Sequence, residues 1–308
     1  MKHIKEIVED VLANEEEVLT AGLKFLDENM GGLYPGELTV ICGGADCEKS
    51  ALMIRQISSL ALDKKTPVLM VLNGTKKRNF LICLAAYYCN VVTEDVRRLL
   101  NDIYYRNVFN ACLSSLKDSP LYIMEKSEFV SRKTDLQSFV EEQGIRAVFI
   151  ENGRWLFRGK VKPKLLGQTL KELAQRLNVV VVVEYGICIF GPPTLSEIQK
   201  FNDDDIFEFA DNIINLVDFT SRRLMVDERG YDLRGLVGLR ILKHKGEQAK
   251  CKETRYRRTQ LLASNSRFAI NLHKDVAKRV IQSNESVSKL ISAFDCKLVT
   301  DPKDDEEI

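Results

Sequence analysis

Residues 38–62 read LTVICGGADCEKSALMIRQISSLAL. Four of the first five are apolar and do not alternate with polar residues, the pattern of a strand covered on both faces of a sheet. Gly43 and Gly44 open a short loop, and a helical segment follows from Lys49 to about Leu62. Strand, loop and helix in this order bring backbone N–H groups and a helix N-terminus together, which is an anion-binding arrangement. The spacing is that of GxxxxGK[ST], with Glu48 where the second glycine belongs. In such a loop the lysine, here Lys49, reaches phosphate, and the hydroxyl, here Ser50, helps hold Mg²⁺. Glu48 restricts the backbone, fills space and adds a like charge. At ~4 Å and an effective dielectric near 20, that charge alone would cost ~4 kcal/mol against phosphate.

The rest of the chain extends this pattern. Short apolar runs at 68–72, 121–124, 147–150 and 179–183 alternate with helix-like stretches such as 132–142 and 165–177, which predicts an α/β fold with a mainly parallel sheet. Beyond residue 185 the runs at 212–217, 223–226, 237–242 and 255–262 are spaced like antiparallel strands, so the sheet is expected to gain an antiparallel edge. Ile4, Ile7, Val8, Val11 and Leu12 share one helical face, and 274–294 has helical spacing before an acidic tail. The expected organisation is an amphipathic helix and linker over 1–19, one α/β domain over 20–270, and a helical extension with a tail over 271–308.

Composition excludes several classes. Lys plus Arg (45) balance Asp plus Glu (44) across 308 residues, so nucleic-acid binding would have to come from local patches. No apolar run approaches the ~18 residues of a membrane span, and the N-terminus has no secretory pattern; a cytoplasmic protein without membrane contact is expected. The eight cysteines form no CxxC pair and read as reduced, mostly packed thiols. Three histidines leave little material for a zinc site or a Ser/His/Asp triad.

Residues 20–40, TAGLKFLDENMGGLYPGELTV, resemble the entry to the RecA-like motor domain of DnaB-type replicative helicases, which reads TGxxxLDxxxGGLxPGEL; Ala21 is an insertion in that pattern. LKELAQRLNVVVVV (170–183), PTLSEI (193–198), FADNIINL (209–216) and LRILKHKG (239–246) continue the resemblance in order. It spans roughly residues 20–270 and implies a RecA-like P-loop fold, a ring of subunits with ATP and Mg²⁺ at their interfaces, and single-stranded DNA in the channel.

Carried over residue by residue, the family chemistry is altered. Lys49 and Ser50 match. The water-activating glutamate aligns with Asn73, which cannot accept a proton as a carboxylate does. The Walker B aspartate aligns with Glu151, which joins Ser50 as a candidate toward Mg²⁺. The glutamine that senses the γ-phosphate aligns with Gly186. The KxRxG segment that reaches the neighbouring subunit aligns with Lys243 and Lys245, where a lysine replaces the planar arginine. The candidate nucleotide residues are thus Gly43, Gly44, Glu48, Lys49, Ser50, Glu151, Lys243 and Lys245, with no catalytic residue assigned.

Residues 154–164, RWLFRGKVKPK, place Arg154, Arg158, Lys160 and Lys162 around Trp155, a composition suited to phosphate pairing and base stacking on a single strand. The same loop reads equally as a solvated turn with its aromatics buried. The sequence therefore points to a DnaB-like protein of DNA replication or a mobile element, with weakened ATP binding and lost hydrolysis, forming a homo-oligomeric ring or joining other replication proteins. An active helicase with non-standard residues, and a structural subunit binding neither ATP nor DNA, stand beside that reading.

Overall fold

The computed structural model describes residues 18–45, 47–89, 116–131, 136–156, 165–187, 193–200, 205–219 and 229–257, with isolated positions at 106, 110, 111, 113, 114, 226 and 227. The chain divides into two compact units, Met1–Leu84 with Leu116–Ala263, and Ala85–Ser115 with Ser264–Ile308. The described residues of the second unit, 85–89 and the isolated positions from 106 to 114, are helical. The predicted N-terminal helix over 4–12 and the helical extension over 274–294 lie outside the described residues.

The first unit carries the sheet. Its strands are β1 (Leu38–Gly43), β2 (Val68–Leu72), β3 (Leu121–Glu125), β4 (Ala147–Ile150), β5 (Val180–Gly186), β6 (Asn212–Asp218), β7 (Leu236–His244) and β8 (Glu247–Arg257). They lie in the order β3-β2-β4-β5-β1-β6-β7-β8. The first six run parallel, and β7 pairs antiparallel with both β6 and β8. The α/β fold with an antiparallel edge therefore stands as expected.

The expected strand at 255–262 is corrected: β8 begins eight residues earlier, at Glu247, and the described part ends at Arg257. Its sequence, EQAKCKETRYR, has no apolar run because it forms by backbone pairing with β7 across a tight hairpin. Lys245 and Gly246 form that turn with φ of 50° and 81°, the positive values a two-residue hairpin requires. Of the run at 223–226 only Val226 is described, in an isolated bridge to Asp232.

The described helices are α1 (Lys24–Met30), α2 (Lys49–Ile57), α3 (Lys77–Cys89, whose residues from Ala85 onward belong to the second unit), α4 (Lys126–Ser131), α5 (Leu136–Glu142), α6 (Leu166–Leu177), α7 (Leu195–Lys200) and α8 (Ile206–Phe209). The helix predicted from Lys49 onward changes to π geometry over Ser58–Asp63. None of the described helices is long and apolar enough to cross a membrane.

Why the apolar runs lack alternation is visible in the packing. Leu38, Val40 and Cys42 of β1 join Val181, Val183 and Tyr185 of β5 in one cluster with Leu170 and Ala174 of α6 and Phe207 of α8. The intervening Ile41, Phe149 and Val182 are equally buried, so both faces of the central strands are covered. Tyr185 and Phe207 meet edge to face with centroids 5.1 Å apart. Cys42 is fully buried here, and burial pushes its thiol up to about 12, which makes it a packing residue.

Distant side chains tie down the ends of these elements. Asp27 accepts from the Thr20 hydroxyl (2.7 Å) and from the inserted Ala21 N–H (2.6 Å), so the entry segment closes onto α1 with Ala21 buried. Lys171 of α6 pairs with Asp211 at 2.7 Å and donates to the Gly36 carbonyl, while Asp211 accepts the N–H of Leu38. Asp205 caps α6 from 38 positions away, accepting from Gly167 N at 2.6 Å and Gln168 N at 3.3 Å. Asp205→Ala leaves those donors without their acceptor and should lower stability by about 1–2 kcal/mol. The measurement is the urea midpoint at unchanged slope; an unaltered midpoint would show that water replaces the cap.

Candidate functional site

The C-terminal ends of β1, β4 and β5 build one edge. In the parallel register Ile41 lies beside Glu184 and Gly43 beside Gly186, while Ile150 lies beside Val183. Glu151, one residue past β4, and Glu184 of β5 thus sit at the ends of neighbouring strands, next to the loop that leaves β1. At Gly43 this loop turns hard against β6: an added Cβ would lie 2.7 Å from the Leu216 carbonyl oxygen and 3.2 Å from Cys47 Cβ, so only glycine fits.

Glu48 takes the left-handed conformation, φ 60° and ψ 26°, and its carbonyl accepts the N–H of Leu52 at 3.0 Å as α2 begins. The chain therefore keeps the backbone turn that a glycine would make freely. For a glutamate that turn stores about 1–3 kcal/mol.

The groups expected to meet a nucleotide are engaged within the chain. Lys49 Nζ donates to the Gly44 carbonyl at 2.6 Å. Ser50 Oγ donates to the Glu184 carboxylate, 3.1 and 3.2 Å from its two oxygens. Ser50 is thus hydrogen-bonded to Glu184, on the strand next to that of Glu151. Glu151 instead accepts Asn73 N at 2.8 Å, Thr75 N at 3.1 Å and the Thr75 hydroxyl. It holds the turn after β2, and Asn73 closes the same turn by donating from Nδ2 to the Asn152 carbonyl at 2.8 Å. At Gly186 an added Cβ would meet no described residue within 4 Å, so among the described residues no crowding imposes the absence of a side chain there.

Glu184 escaped the sequence reading. The available signal was a single carboxylate closing a run of five valines, where an ionised group is costly unless it is paired. Burial raises its pKa above the ordinary 4.5 and nearby Glu151 adds to the rise, against the opposing pull of Lys49 and the Ser50 hydrogen bond.

The other predicted residues fall elsewhere. Lys243 pairs with Ile213 at the start of β6, at the sheet edge opposite the loop. It is buried, and its ammonium donates to the carbonyls of Glu208 (2.8 Å) and Phe207 (3.4 Å) at the end of α8; burial lowers its pKa. Lys245 is exposed at the hairpin tip, its ammonium 4.5 Å from the centroid of the Tyr34 ring. Arg154 and Trp155 follow β4 on an exposed turn, Trp155 at 41% exposure, and Lys126 donates to the Trp155 carbonyl. The indole is therefore no core residue. Arg158, Lys160 and Lys162 lie outside the described residues.

An ammonium, a hydroxyl and a carboxylate at the head of a helix are the donor types that suit a phosphate and a magnesium ion. The charge balance is less favourable. Glu48 precedes Lys49 in the chain, and Glu184 lies within electrostatic reach of both Lys49 and Glu151, so carboxylates outnumber the ammonium at this strand end.

Compared with known families, residues 18–185 match the DnaB-like helicase C terminal domain. No characterised protein matches the chain by sequence. Among solved structures, one ATPase domain is similar with a TM-score of 0.67 at 15% identity, over 85% of this chain and 95% of that one. A DnaB-like replicative helicase, described with its interactions with primase, is similar with a TM-score of 0.63 at 15% identity, over 82% of this chain and 62% of that one. Both likenesses concern the fold.

The raised pKa of Glu184 makes a signed prediction. The folded state holds that proton more tightly than the unfolded chain, so its contribution favours folding below about pH 4.5 and is lost as pH rises through the folded-state value. Glu184→Gln, which still accepts from Ser50, should melt above the wild type at pH 7, with the difference shrinking toward pH 4.5. A difference independent of pH would show that the carboxylate is not strained by burial.

Proposed function

Because the chain belongs to the DnaB-like helicase C-terminal domain family, we propose that it is a RecA-type subunit acting in DNA replication or in a mobile element, with weak binding of ATP and Mg²⁺ and slow or lost hydrolysis. One observation carries this reading: the phosphate loop keeps its backbone turn at Glu48 while Lys49 and Ser50 are both turned to acceptors of the same chain. Nucleotide has to displace those contacts and approach against the surrounding carboxylates. If it binds, Lys49 would meet phosphate and Ser50 would face the magnesium ion, whose charge would offset that of the phosphates.

Hydrolysis needs more than binding. Asn73 cannot serve as a base toward water, and Gly186 presents nothing to a γ-phosphate. On this reading the domain contributes through assembly, with copies of itself or with other replication proteins. The exposed Lys245 at the β7–β8 turn suits contact with a neighbouring subunit. A primase-type partner, such as the one described for the similar replicative helicase, is consistent with that role.

A second observation favours single-stranded DNA as a partner. Trp155 is exposed beside Arg154 at the same strand end as the phosphate loop, which offers a stacking face next to a cation.

Purified protein should turn over ATP well below about 1 s⁻¹, the low end of common enzyme rates, with and without single-stranded DNA. In titrations with a fluorescent ATP analogue, Glu48→Gly should bind more tightly than the wild type, since it relieves both the left-handed strain and the charge. Turnover above that rate would promote the active-helicase reading; no binding by either form would promote the structural-subunit reading.

Trp155→Ala should weaken single-stranded DNA binding by about 1–3 kcal/mol while the melting temperature holds. Equal affinity in the two proteins at low salt would remove Trp155 from the interface.

A further inference from the structure

We propose that Glu184 is the carboxylate this chain uses toward the magnesium ion of a bound nucleotide, acting as a positioning residue through Ser50, while Glu151 serves the fold. The inference rests on the nucleotide-binding reading above and departs from the position where the family pattern places that carboxylate.

The hydrogen bonds divide the labour between the two glutamates. Glu151 already has acceptor bonds from two backbone N–H groups and one hydroxyl of residues 73–75. Turning it toward a metal would strip those donors from the turn after β2, and an N–H stranded at a partly buried position is costly. Among the described residues Glu184 has no such duty. Its hydrogen-bonding partner is Ser50, the hydroxyl at the head of α2, and both carboxylate oxygens lie within 3.2 Å of it. The register explains the reach: Glu184 lies beside Ile41, two residues before β1 ends, so its side chain stands under the start of the helix that follows the loop.

The surroundings of Glu184 also need explaining. A carboxylate that closes a run of buried valines is costly to desolvate, and Glu151 adds like charge. Lys49 offsets part of this. A divalent cation arriving with nucleotide would offset the remainder, because it would meet a hydroxyl already oriented by a carboxylate behind it. Outer partners of this kind orient the group that touches the metal, and their loss typically weakens metal affinity about 10–100-fold. The opposing possibility is a latch, in which Glu184 only blocks Ser50; the test separates the two.

The experiment titrates the fluorescent ATP analogue into the full chain, once with excess Mg²⁺ and once with EDTA. The quantity read is the ratio of the two affinities. The wild type should bind more tightly with Mg²⁺, and Glu184→Gln should lose about tenfold or more of that gain while its affinity in EDTA is kept or raised. Glu184→Asp should recover part of the gain, and Glu151→Gln should lose less of it while melting at lower temperature. Ser50→Ala provides a second route independent of how Glu184→Gln folds: it should lose the gain too, and the double variant should lose little more than either single one. A full magnesium gain in Glu184→Gln, or an equal rise in affinity under both conditions, would overturn the proposal, the latter in favour of the latch. A wild type that binds nucleotide without any magnesium gain would overturn this inference alone. A wild type that binds no nucleotide at all would overturn the nucleotide-binding reading together with it.

Discussion

The position of β1 governs the rest of the structure. It is hydrogen-bonded in parallel to β5 on one side and β6 on the other, and all six of its residues are buried. A strand held this way has no freedom to slide, because a one-residue slip would turn every side chain to the opposite face. Its start is fixed as firmly as its flanks, since Asp211 takes the N–H of Leu38 and is itself paired with Lys171. Its exit is therefore fixed too, and Gly43 must turn between the Leu216 carbonyl and Cys47. The loop beyond it inherits a set path.

That path accounts for the strain at Glu48. The turn into α2 calls for a left-handed residue whatever the side chain, since the strand before it and the buried face of the helix after it are both anchored by packing. The core imposes a conformation that a glutamate adopts only at a cost, and the summed burial of a large domain absorbs a cost of a few kcal/mol. The backbone geometry of the loop is thus set by the core around it, and its left-handed turn forms with a glutamate in place of glycine.

The carboxylates at this edge are divided between two neighbouring strand ends and hold different donors. Glu151 is one methylene longer than aspartate, and here it reaches the backbone of residues 73–75. Glu184, on the neighbouring strand, has the hydroxyl of Ser50. At the opposite edge Lys243 is drawn inward to cap α8, while Lys245 stays exposed at the tip of that hairpin. In each case the side chain satisfies a local hydrogen-bonding demand, so its part in any shared chemistry follows from which backbone groups lie within reach.

What could be read from the sequence was whatever depends on neighbours along the chain. The unalternating runs at 68–72 and 147–150 matched β2 and β4 at both ends, because strands covered on both faces need apolar residues at every position. The glycine, lysine and serine spacing located the loop, because that motif is contiguous. β8 and Glu184 were not legible in this way. β8 exists through its pairing with β7, and a charged edge strand has no apolar periodicity to reveal it. Glu184 stands 134 positions from Ser50, so their meeting depends on the parallel register of β1 and β5. By itself the sequence determined the α/β class, the place of the loop and the residue types within it. Tertiary structure alone decided which carboxylate meets which donor, because hydrogen bonds between strand ends are set by sheet order and register, and neither is written in any local run of residues.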